Sequence, residues 1–163
     1  VIDEPDPGGG TRWLDATELD AWMPFSAMLM NVLSALDTQL QRDAKLSLFG
    51  YLVLAGLSDA PDRTLPMSRL AVLANGSLSR LSHAVAKLER QGWVIRRPAA
   101  DNGRITVATL TDAGHAKIVD SAPGHVDMVR DLVLDKLSAD QLRVLGESSR
   151  AILGLDCGEG ELG

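Results

Sequence analysis

Cysteine is nearly absent: the 163 residues contain a single thiol, Cys157. One thiol excludes an internal disulfide and leaves no Cys-x-x-Cys pair to frame a structural zinc. A thiol in the C-terminal tail also gives little support to oxidant sensing, which needs an activated, well-placed cysteine. The three histidines, His83, His115 and His125, show no metal spacing with each other or with carboxylates. Missing too are a nucleophile elbow, a metal-binding His motif and a phosphate loop, so no enzyme is expected. No uninterrupted apolar run reaches about 18 residues, and the opening VIDEPDPGGG is acidic rather than basic. Neither a membrane span nor a secretory signal is expected, and the expected setting is cytoplasmic.

Net positive charge is lacking as well, and the total of −6 looks wrong for a nucleic-acid binder. Its distribution changes the reading. Between Pro61 and Thr111 eight basic residues face three acids, a local charge of +5 that leaves −11 for the rest. Charge is segregated, with the cationic segment positioned to meet a polyanion and the acidic remainder held away from it.

Apolar spacing organises the chain into helices around that segment. Residues 1–10 read as a disordered tail, and 11–46 as an N-terminal helix, with Pro24 expected to kink or restart it. Ser47 is a plausible N-cap for a helix from Leu48 to about Ser58, and 61–66 read as a loop. A short helix, Met67 to Ala74, is followed by an Asn75-Gly76 turn and a helix capped by Ser77 that Gly92 ends. Two β-rich stretches, Trp93 to Arg97 and Arg104 to Leu110, flank Asp101-Asn102-Gly103, a strong hairpin turn. Thr111-Asp112 opens a helix expected to be interrupted or bent near Pro123-Gly124 and to resume to Leu137. Ser138-Ala139-Asp140 caps a last helix to about Leu153, and 156–163 read as a frayed tail. The expected fold is mainly α with a small β-hairpin wing: a winged helix-turn-helix over 47–111, between the N-terminal helix and C-terminal helices over 112–155.

The helix after Ser77 is sharply two-faced. Leu78, Leu81, Val85 and Leu88 make one apolar stripe, expected to be core. Opposite them Ser79, His83 and Lys87 line up at intervals of four, with Arg80 and Ser82 close by. Small hydroxyls near the helix start, Ser77 among them, allow close approach to double-stranded DNA. Arg80 suits a guanine edge or a phosphate, and His83 does either more weakly. In the hairpin, Arg96 and Arg97 lie on the first strand and Arg104 opens the second. Asp101 is expected to brace Arg104 for an A·T-rich minor groove. An isolated helix of this kind is more often a solvated face; the helix, turn and hairpin around it reverse that preference.

Leu70-Ala71, Ser79-Arg80-Leu81-Ser82, Leu88-Glu89-x-x-Gly92-Trp93-Val94-x-Arg96, Asp101-x-Gly103-Arg104 and Leu110-Thr111-Asp112-x-Gly114 together resemble the MarR family of bacterial transcription regulators. The resemblance covers about residues 15–153. It implies a homodimer whose first and last two helices interlock, binding a pseudo-palindromic operator. It also implies repression relieved by a small phenolic or amphipathic effector. The pocket it implies would draw on Trp22, Phe25, Met28, Met30, Tyr51 and His115, each of which, taken singly, reads first as ordinary core. Apolar stripes on the flanking helices give an independent, weaker argument for a dimer. The sequence leaves open whether Trp13 packs within its own chain or across the dimer. The alternative reading is a winged-helix protein-interaction module without DNA binding; an enzyme is the remoter rival.

Overall fold

The computed structural model describes residues 11–100 and 102–155; the tails expected at 1–10 and 156–163, with Cys157, and Asp101 of the wing turn lie outside the described residues. The chain divides into two compact units, residues 1–35 and 36–163.

Helix α1, Ala16–Ala44, begins in the first unit. Asp15 Oδ1 accepts the Glu18 N–H (2.8 Å) and Glu18 Oε2 accepts the Asp15 N–H (3.0 Å), so two of the orphan amides at the helix start are satisfied reciprocally. The expected kink or restart at Pro24 does not occur, for α1 is one uninterrupted helix. Pro24 sits on an exposed face, where water can meet the carbonyl that its missing N–H leaves free. Trp13, Trp22, Met23, Leu29, Met30 and Leu33 are all exposed in this unit. By length and composition α1 could cross a membrane, with a mean hydropathy of 1.2 in its most apolar stretch. Polar residues such as Ser26, Asn31 and Ser34 interrupt that stretch, so no unbroken apolar run announced it.

The second unit holds the core. Helix α2, Leu48–Ser58, starts on two caps: Ser47 Oγ accepts the Gly50 N–H (3.1 Å), and Asp37 Oδ1 accepts the Leu48 N–H (2.7 Å). Residues read as a loop form a 3₁₀ turn, Pro61–Arg63, and then strand β1, Thr64–Pro66. Helix α3, Met67–Leu73, and helix α4, Leu78–Arg90, follow, then strands β2, Val94–Pro98, and β3, Thr106–Leu110. The sheet is therefore three-stranded and antiparallel in the order β1-β3-β2, not a two-stranded hairpin. Thr64 pairs with Thr109 and Arg96 with Ala108. A three-residue strand ending in proline carries too little periodicity to be seen in advance, and it forms because β3 offers a free edge.

Leu40, Leu54, Leu57, Leu70, Leu81 and Val85 are wholly buried and join the helices to Val94 and Ala108 of the sheet. Helix α5, Asp112–Leu132, runs unbroken through Pro123-Gly124, where an interruption was expected. Pro123 is exposed, and so is Val119, whose carbonyl lacks a helical donor there. A 3₁₀ turn, Leu134–Lys136, replaces the last part of the expected helix, and helix α6, Ala139–Leu153, completes the described chain. Ser138 and Gln141 form a capping box at its start, and Gly154 closes it in the left-handed region. None of the α6 side chains is buried.

The Leu110-Thr111-x-x-Gly114 exit from the wing has a direct physical reading. Leu110 is core, Thr111 Oγ1 accepts the Gly114 N–H (3.0 Å) to cap α5, and the Thr111 hydroxyl donates to the Gly92 carbonyl (2.7 Å). The Thr111 N–H donates to the Trp93 carbonyl (3.0 Å), so the end of α4 is tied to the start of α5 through the sheet.

Candidate nucleic-acid interface

Helix α4 is seated by Leu81, Val85 and Leu88, which are at most 3% exposed. Its start is held by Ser77, whose Oγ accepts the Arg80 N–H (3.2 Å), so Ser77 acts here as a cap. Asn75 takes the left-handed conformation that the turn requires (φ 54°), while Gly76 does not have a positive φ. Ser79, Arg80, His83 and Lys87 are exposed on the outer side of α4, and Ser82 is half-buried beside the wing. One member of the expected apolar stripe is not core: Leu78 is 54% exposed. It occupies the first turn, beyond the end of the packed core, and lines an open cleft of about 420 Å³ with Met67, Ser82, Arg96, Arg104 and Ile105.

The Arg96 guanidinium is paired with Glu89 of α4 (Nη2 to Oε2 2.5 Å, Nε to Oε2 2.8 Å), and the Arg96 backbone N–H donates to Glu89 Oε1 (2.8 Å). Its Nη1 lies 3.5 Å from Ser82 Oγ. Hydrogen bonds from Arg96 hold the Glu89 carboxyl below its ordinary pKa. Arg96 thus braces β2 against α4, and it also lines the cleft that it shares with Leu78 and Arg104. Arg97 and Arg104 are exposed.

Arg104 lies in the turn between β2 and β3, one element earlier than expected. Its backbone N–H donates to Asn102 Oδ1 (3.1 Å), and the Ile105 N–H donates to the Asn102 carbonyl (2.9 Å). Asn102 orders the described part of the turn; the expected brace from Asp101 falls outside the described residues.

Lys45 is a residue that sequence reasoning missed. It shares a shallow hollow of about 270 Å³ with Gln41, Ser47 and Lys87, which adds a cation beside the C-terminal half of α4. Its sequence signal was only a lysine after a long helix. The structure holds it there by a left-handed backbone (φ 57°) between α1 and α2.

The residues expected to serve an effector fall in both units. In the first, Trp22 and Phe25 are ring neighbours at 6.0 Å, and Met28 is exposed. In the second, Tyr51 is buried and His115 half-buried, but the imidazole beside Tyr51 is His125, at 4.3 Å. Burial raises the Tyr51 pKa, helped by the charge of Asp59, and burial lowers that of His125. Among the described residues no group of His, Cys, Asp and Glu is placed to hold a metal.

A short helix, a tight turn, a second helix with a polar outer face and a three-stranded wing define a winged-helix protein. No family model matches the chain, nor does any curated protein sequence. Solved structures do match. A MarR family transcriptional regulator from Streptomyces coelicolor, determined in complex with DNA, is 41% identical, with a TM-score of 0.86 over 94% of this chain and 97% of that one. AbsC, another MarR family regulator from Streptomyces coelicolor, is 31% identical with a TM-score of 0.84, over 88% of this chain and 97% of its own. A mutant of Escherichia coli MarR, complexed with operator DNA, shares the fold at 20% identity and a TM-score of 0.68, over 83% of this chain and 97% of that one. The chain belongs to the MarR family of transcriptional regulators.

Proposed function

We propose that this regulator binds a pseudo-palindromic DNA duplex as a cytoplasmic homodimer, represses transcription there, and lets go when a small phenolic or amphipathic molecule binds. The observation that carries the reading is the exposed face of α4, with Ser79, Arg80, His83 and Lys87 beside an exposed Arg104, inside a segment of charge +5. The 41% identical relative solved with DNA supports it. Ser79 and Arg80 meet the major groove, with His83 and Lys87 on its edge or phosphates, and Arg104 enters the minor groove. Dimerisation is supported by apolar side chains left uncovered in a single chain: Trp22, Met30 and Leu33 on α1, and Val144, Ile152 and Leu153 on α6. Two copies would present two recognition helices to successive major grooves, roughly 34 Å apart. The effector is met by aromatic and Met side chains, with Tyr51 or His115 orienting its polar group, and it shifts the separation of the two recognition helices.

The test is selection of genomic DNA fragments by the purified protein, followed by titration of the winners across salt concentrations. Enrichment of one inverted repeat, with affinity falling steeply with salt, is expected. Failure to enrich any sequence, together with capture of an acidic protein partner, would replace the reading by a protein-interaction module.

A further inference from the structure

The Arg80 guanidinium lies over the ring of Phe49, 4.2 Å from its centroid. Phe49 belongs to the first turn of α2 and is 8% exposed. Gly76 leaves room for one edge of that ring. A Cβ at that position would fall 2.6 Å from Phe49 Cε2 and 2.7 Å from Cζ, so no side chain fits without moving the ring. Glycine is needed at 76 for room, since Asn75 supplies the left-handed turn residue. Arg80 makes no ion pair among the described residues, and Glu89, the acid on α4, is occupied by Arg96.

We propose that Phe49 is a positioning residue for Arg80: its ring seats the guanidinium so that Arg80 meets DNA in one orientation and reads a base edge. The inference rests on the DNA-binding reading above. A bidentate contact to guanine needs the planar fork presented at a set angle. A carboxylate partner would set that angle by consuming the N–H donors. An aromatic face sets it through the cation and leaves the donors free for the base. The helix-turn-helix thereby couples its turn to its reading residue: Gly76 admits the ring, and the ring holds Arg80.

The experiment measures affinity for the selected operator and for a random duplex with wild type, Arg80→Ala, Phe49→Leu and the double variant. Phe49→Leu is expected to lower the operator-to-random ratio about two- to fivefold, the scale of one exposed cation–π contact. In the Arg80→Ala background it is expected to change nothing further. Equal losses on both duplexes, or the same loss with and without Arg80, would make Phe49 a packing residue and overturn the proposal. An Arg80→Ala variant that keeps full operator affinity would overturn it too, while leaving operator binding by the rest of α4 intact. A wild type that selects no operator would sink the DNA-binding reading itself, and this proposal with it. The free wild-type protein offers a second check that survives poor folding of Phe49→Leu. The Arg80 δ-methylene protons should show an upfield ring-current shift by NMR, and unshifted resonances would refute the seat.

Discussion

A Cβ added at Gly114 would stand 2.1 Å from the Trp93 carbonyl oxygen and 2.7 Å from Leu110 Cδ1. That carbonyl already accepts the Thr111 N–H, so it cannot turn aside without breaking the tie between the residue before β2 and the start of α5. Gly114→Ala should therefore cost about 3 kcal/mol, at the upper end of overpacking, read as a fall in the denaturation midpoint. A loss within about 0.5 kcal/mol would show that the junction yields. His125 is a second residue whose surroundings set its behaviour. Its ring lies against Tyr51, its buried Nδ1 has no hydrogen-bond partner among the described residues, and burial lowers its pKa from 6.5. The neutral ring suits the fold, so as pH falls below 6.5 the unfolded chain takes up the proton first. Stability should decline from there toward the lowered folded-state value and then level off. His125→Phe should lack that component in melting curves recorded against pH; identical curves for the two proteins would remove His125 from the account.

At the scale of elements, the Glu89–Arg96 pair is the ionic tie between α4 and β2 among the described residues. The Glu89 and Arg96 side chains are 27% and 32% exposed, and the carboxylate takes both the guanidinium and a backbone N–H of its partner. Glu89→Gln should cost only about 1 kcal/mol of global stability, as partly exposed pairs do. Its larger effect should be local: faster amide exchange in β2 and β3 and weaker operator binding, with α4 unchanged. Wing exchange as slow as wild type would mean that the sheet holds itself. Because the Glu89 pKa is lowered, the brace persists above the ordinary Glu range and is lost only as pH falls through the depressed value. Neither partner's role was legible beforehand, since residues seven apart across a helix end and a strand show no periodic relation. What could be read were features with local causes. Ser47, Ser77, Thr111 and Ser138 cap helices as their side-chain chemistry requires, and Gly92 ends α4 at φ +75°. The misreadings share the opposite cause. β1 exists through its pairing with β3, Leu78 is exposed because the core ends below it, and α1 and α5 pass through proline because those positions face outward. Tertiary context decides each of them, and single-sequence spacing does not carry it.

On the scale of the whole molecule, segregated charge and uncovered apolar surface make separate demands. The cationic segment spans residues 61–111, while the rest of the chain carries −11. DNA would therefore be drawn to that segment and repelled by the acidic remainder, so binding should weaken steeply with salt despite the negative total. The apolar demand is different. Met30 is 71% exposed and Leu33 55% on α1, and on α6 Ile152 is 70% and Leu153 65% exposed. Side chains this apolar and this open on helices that bury little of their own surface are expected where a second copy covers them. Leu33→Glu touches no core of the single chain, so helical content and the core of residues 36–163 should survive it. A charge placed in a dimer interface should nonetheless shift sedimentation from twice 17.4 kDa to once. Loss of the second recognition helix should then cut operator affinity about tenfold or more, because two linked contacts become one. Ile152→Glu makes the same prediction from the other end of the chain. A wild type sedimenting at 17.4 kDa at working concentrations would refute the dimer outright. Leu33→Glu and Ile152→Glu dimers binding DNA normally would place the shared surface on neither helix.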